Sequence, residues 1–116
     1  MTESLIFTVD LEILPGRLDA LKTHVADAVA SVRENEPDVL IYAYFISEDG
    51  KTARIIEHYA NSEAMLAHLK DADTSDFFTM VKSRGATLHG SPSPELRKLM
   101  DGFGAEVFPL IDGNFR

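Results

Sequence analysis

The stretch Val39-Leu40-Ile41-Tyr42-Ala43-Tyr44-Phe45-Ile46 decides the reading of this 116-residue chain. It is an unbroken run of apolar and aromatic residues rich in β-branched and ring side chains, the pattern of a strand covered on both faces. Asp49-Gly50 follows as a hairpin signal, and residues 52–60 return as the antiparallel partner. On the N-terminal side, Leu5, Phe7, Val9, Leu11 and Ile13 alternate with Ile6, Thr8, Asp10 and Glu12. That period of two predicts a first strand with one strongly apolar face. Pro15-Gly16 ends it.

Between these strands Leu18, Leu21, Val25, Ala28, Val29 and Val32 recur at helical spacing. An amphipathic helix is predicted over 17–35, closed by Pro37, which pushes Glu36 away from helical angles. Downstream, Asn61 or Ser62 can cap a helix that runs to about Asp71, with Glu63 in its first turn. A short helix over 75–83 and a short strand over 86–90 come next. Ser93-Pro94 opens a helix to about Asp101, and residues 105–111 form a last strand. The order β-α-β-β-α-β is ferredoxin-like, an α+β fold whose antiparallel sheet carries its helices on one face. The doubly apolar strand 39–46 then needs cover on the other face, most simply from a second copy of the chain. The expected organisation is one domain over 1–116, with a core in 5–90. The segment 91–116 adds a helix and a strand or arm that contacts a partner.

Composition narrows the function. A formal net charge of −8 disfavours nucleic acid and anionic membrane as partners. The chain has no cysteine, so disulfides, thiolate metal sites and cysteine nucleophiles are excluded. Met1-Thr2-Glu3-Ser4 lacks the basic start of a signal peptide, and no apolar run approaches the ~20 residues of a spanning helix. The expected setting is the cytoplasm. The four histidines, at 24, 58, 68 and 89, show no metal-ligand spacing, and no metal or cofactor is expected. Gly102-Phe103-Gly104 follows a helix and lacks a third glycine, so it is not a dinucleotide fingerprint.

Several residues could carry chemistry. His68 falls at helical spacing with Met65, Leu69 and Ala72, in the middle of an apolar stripe. It reads either as a general base, since histidine titrates at ~6.5, or as a packed histidine satisfied by a backbone carbonyl. Tyr42 and Tyr44 share a strand face, with Tyr59 on the neighbouring strand; they are either hydrogen-bond donors in an apolar cleft or ordinary sheet residues. Glu57 shares a face with Ile55 and Tyr59, and a pairing with Arg54 or Arg17 is the expected fate of its carboxylate. His24 and His58 read as structural or exposed.

Three pieces of sequence also carry a resemblance: Pro15-Gly16-Arg17 after the first strand, the run from Arg33 to Tyr42, and Glu57-His58-Tyr59-Ala60-Asn61-Ser62-Glu63-Ala64 followed by His68. In order and spacing they resemble the antibiotic biosynthesis monooxygenase domain over roughly residues 5–90. The resemblance implies a dimeric α+β barrel. It also implies cofactor-independent oxygenation of a small aromatic, quinol or polyketide-like molecule in an apolar cleft between sheet and helices. His68, Tyr59 and Tyr42 would be the catalytic residues, and Phe7, Phe45, Met65 and Leu69 the apolar walls. Haem-degrading relatives use a tryptophan, which this chain lacks. A fold of this kind hosts several chemistries, so a non-catalytic ligand-binding or stress-response dimer, and a proton-transfer isomerase or lyase, stand beside the monooxygenase.

Overall fold

The structure is a computed structural model that describes residues 3–72 and 74–116. Five strands, β1 (Leu5–Ile13), β2 (Val39–Ile46), β3 (Thr52–Tyr59), β4 (Val81–His89) and β5 (Glu106–Phe108), form one sheet in the order β2-β3-β1-β4-β5. Among the described residues the α-helices are α1 (Leu18–Asn35), α2 (Ser62–Asp71) and α3 (Pro94–Phe103). The first four strands pair antiparallel, in the ferredoxin-like arrangement the sequence predicts. The fifth departs from it: β5 runs parallel to β4, so the sheet is mixed.

Register fixes the two faces. Phe7 lies opposite Glu57 and Leu88, and Tyr42 opposite Glu57. These positions, with Val9, Tyr44 and Ile55, look toward the helices. Ile6, Thr8, Ile41, Ala43, Phe45, Arg54, Ile56 and His58 look the other way, because successive side chains alternate across the pleat. A slip of one residue would exchange the sets.

The helix-side core has two parts. One gathers Leu5, Phe7, Tyr59, Met65 and Leu88 with Leu96 and Met100 of α3. The other gathers Leu11, Ile13, Leu21, Ala53, Ile55, Phe77, Met80 and Val81. The core therefore extends past residue 90, where the sequence reading ends it. Asn61 caps α2, its Oδ1 accepting from the Ala64 amide at 2.9 Å. Ser93 caps α3 through the Leu96 amide, and Ser62 Oγ accepts from the Ser93 amide at 2.9 Å, tying the two helix starts together.

Two local expectations change. The helix expected over 75–83 is a single 3-10 turn, Phe77–Thr79, and β4 begins at Val81. Pairing along nearly the whole of β1 outweighs local helical preference there. A register shift opposite Asp10 and Leu11, where Gly85 has φ 147°, breaks the alternation that would have marked the strand. The run 39–46 is not covered on both faces within one chain: it is an edge strand, with Leu40, Ile41, Phe45 and Ile46 exposed.

The C-terminal segment joins its own sheet through β5, and Phe115 then returns to within 6.2 Å of the His58 ring on the open face. Leu96→Ala should cost ~2–5 kcal/mol, the range for truncating a buried leucine. Urea unfolding measures it. A loss under about 1 kcal/mol would show that α3 is an appendage rather than core.

Candidate functional site

α1 spans 18 residues yet fully buries only Leu21 and Val32. It stands off the sheet, and the space beneath it is a cavity of ≈ 670 Å³, within the range of small-ligand sites. Sheet residues Phe7, Val9, Tyr42, Tyr44, Ile55 and Glu57 form its floor. His24 and Val32 of α1 and His68 and Leu69 of α2 form its walls, with Phe77, Phe78 and Phe103 also lining it.

His68 is held at the end of this space. Its Nδ1 is 2.9 Å from Glu36 Oε1, and both side chains are largely buried, at 11% and 22% exposure. With Glu36 ionised, Nδ1–H donates to the carboxylate and Nε2 keeps its lone pair, which fixes the basic nitrogen. The His68 ring lies 5.1 Å from that of Tyr42 and 5.8 Å from that of Tyr59. Proline chemistry explains the partner: Pro37 ends α1, and Glu36, at non-helical angles beyond the last turn, turns its carboxylate toward α2.

The tyrosines are neutral donors. The Tyr42 and Tyr44 hydroxyls lie 3.0 Å apart, and burial first, then mutual proximity, raises Tyr42 far above the ordinary phenol range. Burial also raises Tyr44. One proton of the pair is spent between them, and the other can meet a ligand. Tyr59 is fully buried, and its hydroxyl donates a hydrogen bond to Glu57 Oε1. Glu57 is itself a buried carboxyl, and burial raises its pKa more than the Tyr59 hydrogen bond and the nearby His68 lower it.

The structure thus brings His68, Tyr42, Phe7 and Leu69 to one cavity. Tyr59 lies behind the floor, reaching the cavity through Glu57. Met65 is fully buried in the core with Leu5 and Leu96 and does not line the cavity. Phe45 faces away, because it has the opposite strand parity from Tyr42 and Tyr44. Glu57 finds neither arginine: Arg54 is on the other face, 2.6 Å from Asp10, and Arg17 Nη2 reaches Thr79 Oγ1. His24, which the sequence reading sets aside, lines the cavity and stacks on Phe77 at 5.4 Å. Among the described residues, no group of three or more His, Cys, Asp or Glu side chains could hold a metal ion. No described helix is long and apolar enough to cross a membrane.

Residues 5–79 match the sequence profile of the antibiotic biosynthesis monooxygenase family. The chain belongs to that family. Its fold is also that of solved structures. MupZ from Pseudomonas fluorescens shares 24% identity at a TM-score of 0.83, with 99% of this chain and 96% of that one covered. A Bacteroides thetaiotaomicron protein solved as a candidate antibiotic biosynthesis monooxygenase is 18% identical, at a TM-score of 0.64 over 74% of this chain and 85% of its own. PA3566 from Pseudomonas aeruginosa is 19% identical, at 0.58 over 76% and 91%. The MupZ match runs almost the full chain, so α3 and β5 have counterparts there. None of the curated proteins matches the sequence significantly.

A raised native pKa at Glu57 has a stability consequence. The folded chain holds that proton more tightly than the unfolded chain, where glutamate titrates at ~4.3. The group's contribution is complete below the unfolded value and is lost as pH climbs to the folded one. Glu57→Gln, which cannot ionise, should therefore gain melting temperature relative to the parent as pH rises from about 5 to about 8. A difference that stays flat across that range would mean that the carboxyl ionises as freely as an exposed one.

Proposed function

We propose that this antibiotic biosynthesis monooxygenase family member is a cofactor-independent monooxygenase of small phenolic or quinol-like molecules, with His68 as its base. The observation that carries this reading is the Glu36–His68 hydrogen bond at a mostly apolar cavity beside Tyr42. His68 Nε2 takes the phenol proton. Tyr42 and Tyr44, which remain protonated, offer a hydroxyl to the developing oxyanion, and in an apolar site such a bond is worth more than in water. The phenolate then reduces dioxygen with its own electrons. The ring carbon para to the phenol loses its hydrogen and becomes a carbonyl carrying one oxygen atom, and the other atom leaves as water. Phenol and dioxygen thus give quinone and water, and no other reductant is required. Glu36 is a positioning residue that fixes the imidazole tautomer.

Oxygen uptake with a panel of hydroquinones and anthrones tests the reading. His68→Ala should lose about 10²–10⁴-fold in turnover, the usual worth of general-base help, with an unchanged circular dichroism spectrum. Glu36→Gln should lower kcat with KM nearly unchanged and shift the pH profile of kcat. Full activity in His68→Ala would remove His68 from the chemistry. Substrate proton exchange without oxygen uptake would instead favour an isomerase or lyase, a reading that the buried acid Glu57 supports.

We also propose that the working unit is a homodimer closed over the open sheet face. Support comes from that apolar surface: Ile41 and Phe45 are 45% and 54% exposed, and Leu40 and Ile111 are 55% and 101% exposed nearby in sequence or at the C-terminal arm. A stable interface of this kind buries on the order of 2,000 Å². Phe45→Glu should convert the dimer to a monomer in light scattering. A parent protein that is monomeric at micromolar concentration would contradict the assembly.

A further inference from the structure

The cavity holds a second polar centre that the base does not use. Glu57 sits in the middle of the sheet floor, between Phe7 on β1 and Tyr42 on β2. Its side chain lines the cavity while the residue is 5% exposed. One oxygen accepts from Tyr59. Among the described residues the cavity lining contains no lysine or arginine, whereas Asp27, Glu36 and Asp71 join Glu57 as acidic side chains there.

We infer that Glu57 is a neutral carboxylic acid that donates a hydrogen bond to a carbonyl oxygen of the substrate, which makes the natural ligand an uncharged phenol bearing a conjugated carbonyl. The inference rests on the monooxygenase reading above and specifies the substrate class for the same site.

Burial and Glu36 favour the neutral form of Glu57, and the Tyr59 hydrogen bond and His68, which oppose it, do not offset the burial. β2 presents Tyr42 and Tyr44, and β3 presents Tyr59, all three held neutral by burial. The end of α1 brings Glu36, which opposes a second negative charge, and farther along α1 stand Asp27 and His24. α2 brings His68, whose proton-bearing Nδ1 is already engaged by Glu36, and Asp71 near its end. An ionised Glu57 would have a single tyrosine hydrogen bond and, beyond His68, whose Nδ1 Glu36 already engages, no lysine or arginine to offset desolvation, and a buried carboxylate in that position takes up a proton instead. Once neutral, it has an O–H to give and needs an acceptor.

A carbonyl conjugated to the phenol meets both centres at once. Glu57 binds the carbonyl and draws electron density toward it, and this makes the phenol easier for His68 to deprotonate. The same lining explains what is kept out. A carboxylate or phosphate ligand would meet the carboxylates of Asp27, Glu36 and Asp71 and no lysine or arginine, so anionic substrates are repelled.

Two measurements test this. The first needs no ligand: the infrared difference spectrum of the full chain against Glu57→Gln at neutral pH should show the carbonyl stretch of a protonated carboxylic acid. If only carboxylate bands appear, the inference is overturned whatever the fate of His68. The second compares two phenols of similar size, 2-hydroxyacetophenone and 2-ethylphenol. The parent should bind the ketone about tenfold more tightly, a ratio of the size one buried hydrogen bond gives. Glu57→Gln, which still has an N–H to donate, should keep most of that preference, and Glu57→Ala should lose it. His68→Ala should keep the preference even as turnover falls, which separates this inference from the base assignment. Equal affinities in the parent, a preference unchanged in Glu57→Ala, or no binding of either phenol would each overturn the inference.

Discussion

The register among β1, β2 and β3 places Glu57 on the helix-covered face, flanked by Phe7 and Tyr42, and the site is arranged around that placement. A carboxyl at the centre of a sheet floor is costly unless it is neutral or well bonded. Here Tyr59 supplies one bond from the core side, and the cavity leaves the other side open to a ligand. The same register turns Arg54 to the opposite face, where it pairs with Asp10. Had the strand slipped by one residue, the arginine would have entered the cavity and the carboxyl would have met solvent.

The helices complete the site by keeping their distance. α1 packs at its ends, through Leu21 and Val32, and leaves room beneath its middle. α2 is fixed through its Asn61 cap and through Met65 in the core, so His68, three residues beyond Met65 on the same face, is aimed by packing rather than by the site itself. Glu36 then selects which imidazole nitrogen is free. Core packing, helix capping and one buried hydrogen bond thus pre-organise the base.

Much of this was legible in the sequence. The alternation from Leu5 to Ile13 and the Asn61 cap marked β1 and the start of α2, and the stripe through Met65, His68 and Leu69 marked the inward face of α2, which meets the core at Met65 and the cavity at His68 and Leu69. What escaped depends on tertiary pairing. Gly85 interrupts the pattern of β4, so only its end could be recognised. Glu36 and His68 are separated by 32 positions, and no local signal joins them. Glu57 looked destined for an arginine because Arg54 is near in sequence, although strand parity already sets the two on opposite faces. Parity also separates Phe45 from Tyr42 and Tyr44. His24 could have been found, since it lies at helical spacing with Leu21 and Ala28 on the face that overlooks the cavity.

The four histidines provide an internal control for the central claim that the space under α1 is the ligand site. His24 and His68 line the cavity, whereas His58 and His89 lie on the open face against Phe115 and Phe108. The direct measurement is the imidazole nitrogen NMR spectrum during titration with 2-hydroxyacetophenone. The account predicts that the His24 and His68 signals move together and saturate with one dissociation constant, while those of His58 and His89 stay in place. Movement confined to His58 and His89, or no movement at saturating ligand, would contradict it.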